Sequence, residues 1–180
     1  MKTRHPMKET KRLTLVAMMS ALTVVFLVIA SVLSTLDLTM AALSSFCMVF
    51  LYIEVGSPYT YLSWLASTLL TFIFFPNGYI FLVYFFIFGI YPILKGFIER
   101  LPRWAWLPVK LVWFNAILVL LLFLIGFILG IDVMAGEGLI GRILIYVLAN
   151  VSFLAYDLLM TVIARLYILK YRDKFHKYLK

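Results

Sequence analysis

From residue 13 to residue 168 this chain keeps returning to apolar stretches close to the ~20 residues that carry a helix across a bilayer core. Six such stretches are predicted, at about residues 13–35, 38–53, 59–75, 79–97, 106–130 and 142–168. The breaks between them are chemically distinct. Asp37 ends the first, Glu54-Val55-Gly56-Ser57-Pro58 the second and the turn-forming Pro76-Asn77-Gly78 the third. A polar, glycine-bearing loop at 131–141 precedes the last. Composition agrees: of the 180 residues, 65% are hydrophobic and only 13% charged, and the mean hydropathy is +1.07. A chain of this size cannot hide so much apolar surface in one core, so its natural solvent is lipid. The expected fold is all-α, a single membrane domain formed by a six-transmembrane-helix bundle. Residues 1–12 form an N-tail and 169–180 a basic C-terminal tail.

Charge sets the orientation. The 16 lysines and arginines fall in the N-tail, the Lys95–Lys110 region and the C-terminal region, and Arg142 alone lies on the other side. Under the positive-inside rule both termini are cytoplasmic. The first apolar run is too long for a secretory signal, so it reads as a span. Trp104 and Trp106, beside Arg103, suit the inner interface. Tyr167, Tyr171, Phe175 and Tyr178 recur at helical spacing among basic residues, as in an amphipathic tail lying against anionic headgroups. The net charge of +8 is thus spent at the membrane surface, and nucleic acid is not expected as a partner. The lone Cys47 sits in an apolar run and reads as a packing residue.

Polar residues within apolar helices are expensive, which makes each a functional candidate. Arg142, Tyr146, Asn150, Asp157 and Thr161 share one face of the sixth helix, and Tyr84, Tyr91, Lys95 and Glu99 one face of the fourth. Lys95 and Asp157 both lie roughly 23 Å below the outer ends of their helices. They are therefore expected to form an intramembrane ion pair, the other arrangement open to Lys95 being to snorkel towards the inner surface. Asn115 and Asn150 suit either a bridge between helices or a ligand contact. Pro92 is expected to kink the fourth helix and to open backbone groups towards a cavity. Tyr84, Asn115, Tyr146, Asn150 and Asp157 make up the candidate substrate-binding set, with Tyr84 and Tyr146 able to hold a planar ring. The histidines, His5 and His176, lie in the tails. No hydrolase, zinc or nucleotide-binding signature is present, so no enzyme, metal or cofactor is expected.

The first helix begins Lys11-Arg12-Leu13-Thr14-Leu15-Val16-Ala17-Met18-Met19-Ser20-Ala21, where Ala17 and Ala21 make a small-xxx-small patch. On a six-helix chain of this size with both ends inside, this run resembles the substrate-binding (S) components of energy-coupling-factor (ECF) transporters. The resemblance implies that Ala17 and Ala21 dock against a transmembrane coupling subunit driven by two cytoplasmic ATPases. It also implies that a vitamin or similar micronutrient enters between the outer halves of helices 4 to 6, in a bacterial plasma membrane. Ala41 and Ser45 form another small-residue patch, on helix 2. One feature departs from the family pattern: the chain turns from helix 1 to helix 2 near Asp37 without a capping loop, leaving 131–141 for that role. The other expectations are a non-transporting membrane scaffold and an autonomous carrier with Asp157 as its proton or cation site.

Overall fold

The computed structural model describes residues 9–33, 35–76, 78–130, 135–136 and 138–172. Among them the chain forms six helical rods and no strand. They are α1 (Glu9–Val32), α2 (Asp37–Glu54), α3 (Ser57–Phe74), α4 (Ile80–Ile98), α5 (Arg103–Leu129) and α6 (Leu139–Tyr171). The expected bounds are displaced by a few residues. α1 takes in the last four residues of the expected N-tail, and α6 runs past Ile168 to Tyr171. Phe175 and Tyr178 of the expected amphipathic tail lie outside the described residues, as do 131–134 and 137 of the 131–141 loop.

Five of the rods are long and apolar enough to cross a membrane, and α3 is not among them. The reason is its hydroxyls, and the fold hides them. Thr60, Ser63, Ser67, Thr68 and Thr71 are all buried, whereas Leu62, Leu65, Leu69, Leu70, Phe72, Ile73 and Phe74 face outwards. This is the reverse of a helix on a water-soluble protein, whose apolar face turns to the core. The hydroxyls need no partner helix, because Thr60, Thr68 and Thr71 each donate to the carbonyl four residues back, at 2.8–2.9 Å. Ser63 instead meets Ser20 of α1 at 2.6 Å.

Two cores meet at α4. One joins Leu15, Val16, Leu27 and Ala30 of α1 to Ala41, Met48 and Leu51 of α2, with Ile80 and Tyr84 of α4. Small residues at Ala30, Ala41, Ser44 and Ser45 let these helices approach closely. The other joins Leu82, Val83, Ile87 and Tyr91 of α4 to Phe114, Leu121 and Ile125 of α5 and to Phe153, Tyr156 and Met160 of α6.

α4 is interrupted, though not as Pro92 led us to expect. Residues Tyr84–Phe88 widen into a π-helical turn, in which the Gly89 N–H donates to Tyr84 O at 2.7 Å. The α-helix resumes at Tyr91, placing Pro92 in a first turn, where its missing N–H has no consequence. The backbone there does not open onto a cavity: the Phe85 carbonyl accepts the indole N–H of Trp64 from α3 at 3.1 Å, with the two rings stacked 4.6 Å apart. Gly89 makes this approach possible, since a Cβ there would collide with the Trp64 ring and come within 2.9 Å of Tyr84 Cζ.

Candidate functional site: a buried charge cluster between three helices

Asp157 lies in the middle of α6, and its carboxylate is the hub of the molecule's largest polar network. Oδ1 accepts hydrogen bonds from Tyr91 Oη at 2.6 Å and from Lys95 Nζ, both on α4. Oδ2 accepts from Lys110 Nζ of α5 at 2.7 Å. Lys95 Nζ also donates to the Asp157 carbonyl at 3.0 Å and to Thr161 Oγ1 at 2.8 Å, so all three ammonium protons are used. Glu99 completes the group, 3.4 Å from Lys95 Nζ and 3.8 Å from Lys110 Nζ. Two cations thus face two carboxylates, and the cluster is formally neutral. The lysine side chains are 9% and 6% exposed and that of Asp157 13%, against 35% for Glu99. Glu99 is therefore the member that opens towards the surface.

Neutrality and the hydrogen bonds shared through Asp157 are what make such burial tolerable. Two ammonium groups inside a bundle repel one another and lose their hydration, and only a shared carboxylate between them offsets both. The arrangement also binds α4, α5 and α6 at a single point. Aromatic rings pack around it: Tyr91 stacks on Trp113 at 5.4 Å and meets Phe153 edge-on at 5.1 Å, while Phe114 and Phe153 stack at 4.2 Å. These rings exclude water and strengthen the charge interactions within.

The structure brings Lys95 and Asp157 together, and Lys95 turns inwards to α6 in place of snorkelling. Lys110 was read from sequence only as one of the inner basic residues, yet it is as deeply engaged. Its signal was present: Lys110, Phe114, Leu121 and Ile125, the buried residues of α5, are four, seven and four residues apart. That is the interval pattern used to recognise the stripes on the fourth and sixth helices. Tyr91, noted within a stripe but not taken as a site residue, is the only hydroxyl bonded to the Asp157 carboxylate among the described residues.

The other candidates fall elsewhere. Asn115 and Asn150 form a reciprocal amide pair between α5 and α6, at 2.9 and 3.1 Å. Their remaining N–H groups go to the Leu111 and Tyr146 carbonyls, so all four donors are committed to bridging the helices. Tyr146 lies a turn before Asn150 in the N-terminal half of α6, where Leu139, Ile140, Ile143, Leu144, Val147 and Leu148 are exposed. Tyr84 is fully buried in the α1–α2–α4 core. A shallow apolar groove of about 330 Å³ on α5 is lined by Pro108, Val109, Val112 and Trp113, none of them in the expected substrate set. Among the described residues, no group of three His, Cys, Asp or Glu is placed to hold a metal ion.

At one end of the bundle, Glu54 of α2 accepts from Tyr167 Oη at 3.1 Å and pairs with Arg172 at 3.4 Å, tying the end of α6 to α2. At the opposite end Asp37 accepts from Tyr79, joining the starts of α2 and α4. Ala17 and Ala21 both lie on the exposed face of α1, whereas Ala41 and Ser45 are buried within the bundle. No protein-family model matches the chain, and neither curated proteins nor solved structures provide a match.

Proposed function

We propose that the chain is a six-span plasma-membrane protein with both termini in the cytoplasm, acting as the substrate-binding subunit of an ECF-type transporter for a vitamin or related micronutrient. Support for the sixth span comes from α3, whose buried hydroxyls and exposed leucines and phenylalanines suit a lipid surface. The observation that carries the transport reading is the free small-residue face of α1. Of the two small-residue patches, Ala41–Ser45 is consumed within the bundle, while Ala17 and Ala21 remain outside and accessible to a coupling subunit. The polar network belongs to α4–α6, the three helices between which the substrate would enter. Partners on this reading are the bilayer, a transmembrane coupling subunit with two cytoplasmic ATPases, and the solute.

A second reading, a membrane scaffold that binds no solute, draws on the saturation of Asn115, Asn150 and Asp157 by each other and by lysines. The two part in one experiment. Purified protein is screened by thermal shift and native mass spectrometry against water-soluble vitamins and their precursors, and uptake of any hit is measured in cells. The transport reading expects one ligand to stabilise the protein at sub-micromolar concentration, with Ala17→Leu sparing binding and abolishing uptake. A blank panel favours the scaffold, whereas uptake indifferent to Ala17→Leu contradicts coupling through this face of α1.

A further inference from the structure

The two carboxylates of the charge cluster are held in very different ways. Asp157 accepts three side-chain hydrogen bonds, from Tyr91, Lys95 and Lys110. Glu99 accepts none from either lysine. Its Oε1 lies 3.4 Å from Lys95 Nζ, whose three protons go to Asp157 and Thr161. It lies 3.8 Å from Lys110 Nζ, beyond hydrogen-bond range. Glu99 also stands just past the end of α4 at Ile98, in the turn to α5 where Arg100, Leu101, Pro102 and Arg103 are exposed. Lys110 has the matching deficit. Among the described residues its ammonium donates one hydrogen bond, to Asp157 Oδ2 at 2.7 Å, although its side chain is only 6% exposed. Two protons of a buried ammonium thus lack an acceptor, with Glu99 just out of reach, and leaving such donors unmade is costly.

We propose that Glu99 is an exchangeable counter-ion, and that with its side chain moved aside Lys110 and Lys95 bind the carboxylate of a small water-soluble acid entering from the α4–α5 turn. The inference goes beyond the transport reading, since it holds for a scaffold as well. Charge selects the ligand. Without Glu99 the cluster holds Lys95, Lys110 and Asp157, a net charge of +1 that one monoanion neutralises. A phosphate dianion would overshoot, and a metal cation would be repelled by the two ammonium groups. Shape selects it further. A free carboxylate brings two acceptor oxygens to the two open protons of Lys110 in charge-assisted bonds, whereas a chloride ion brings a single centre. Glu99 cannot do the same from its place in the chain, where its own N–H is tied to the Lys95 carbonyl at 2.9 Å. The exposed Arg100 and Arg103 flank the entrance and raise the local concentration of anions.

The test is rescue by acetate, with chloride at equal ionic strength as the reference. Glu99→Gln removes the tethered carboxylate with little change of shape, and thermal midpoints are measured for the full chain in lipid nanodiscs. The substitution is expected to lower the midpoint in chloride by about 2–5 °C. If acetate binds with a dissociation constant of about 10 mM, then about 50 mM shifts the folding equilibrium roughly sixfold and returns about 2–4 °C. Wild-type protein, with Glu99 in competition, gains less than about 1 °C. The Glu99→Gln/Lys110→Met double variant is again neutral, so it recovers stability in chloride and ignores acetate. Acetate no better than chloride on Glu99→Gln overturns the proposal. So does equal stabilisation of the double variant, which would be a bulk salt effect, and so does rescue by octanoate but not acetate, which would place a lipid there. Should Glu99→Gln not fold, wild-type protein is titrated with carboxylate-labelled acetate and followed by NMR. Saturable broadening that is absent from the double variant is then the expected result, and no broadening overturns the site.

Discussion

The helices on the two sides of α4 bury polar groups in opposite ways. On the α1–α3 side, apart from Glu54 at the end of α2, the buried polar residues are neutral hydroxyls, and most are satisfied within their own helix. Thr23, Thr60, Thr68 and Thr71 each bond the carbonyl four residues back, and Ser44 and Ser45 the carbonyl three back. Such residues lend the helix small size and close approach but do not dictate its neighbour. On the α5–α6 side the buried and half-buried groups are charges and amides, satisfied across helices: Lys95 and Lys110 by Asp157, Asn115 by Asn150. Each of these partners is lost if a helix moves. The first side is therefore a scaffold whose packing is steric, and the second a set of helices whose relative position is written in specific bonds. A membrane protein that changes shape would do so where such bonds can be exchanged.

That contrast can be broken most severely at Asp157. Asp157→Asn leaves two buried ammonium groups facing a single, partly exposed carboxylate, and it is expected to destabilise by about 3–5 kcal/mol. Chemical denaturation in nanodiscs measures this, and a loss below about 1 kcal/mol would mean that the cluster does not bind the helices. Next in size is the seam itself. Gly89→Ala places a methyl group against Trp64 and Tyr84, so the expected loss is about 1–3 kcal/mol, together with altered tryptophan fluorescence as Trp64 leaves the Phe85 carbonyl. Asn115→Ala frees Asn150 from its reciprocal pair and should cost about 0.6–1.7 kcal/mol, the range of interhelical hydrogen bonds in membranes. Smallest is Thr71→Val, which exchanges a self-satisfied hydroxyl for a methyl of similar volume; a change within about 0.5 kcal/mol is expected. A Thr71→Val loss as large as that of Asn115→Ala would erase the distinction between the two sides.

Periodicity made much of this legible in advance. Apolar runs marked all six helices, with the breaks at Gly56 and between Phe74 and Ile80 in place, because the length of an apolar run that suits a bilayer is imposed by the solvent and not by the details of packing. The stripe on the sixth helix and the matched depth of Lys95 and Asp157 anticipated their meeting, since helical rise is nearly constant. Lys110 escaped because its neighbours in sequence are Arg103 and the interfacial tryptophans, among which a lysine reads as a surface cation; only its register with Phe114, Leu121 and Ile125 betrays its burial. Thr60, Ser63, Ser67 and Thr71, three and four residues apart, likewise carried the inverted amphipathicity of α3. The π-turn at Tyr84–Phe88 had no such signal. It depends on Trp64 arriving from another helix and on Gly89 making room, and Pro92, the local clue, pointed to a kink a turn further on. The commitment of Asn115 and Asn150 to each other was similarly a matter of which rotamers met.

The most direct test of the account is a double-mutant cycle between Asp157 and Lys110 in nanodiscs, comparing Asp157→Asn, Lys110→Met and the double variant. If the carboxylate holds α5 to α6 by compensating a buried lysine, Lys110→Met is destabilising alone but neutral or stabilising beside Asp157→Asn. The coupling should then exceed about 1.5 kcal/mol. Losses that simply add, to within about 0.5 kcal/mol, would show that the two charges are independent and would contradict a shared buried cluster.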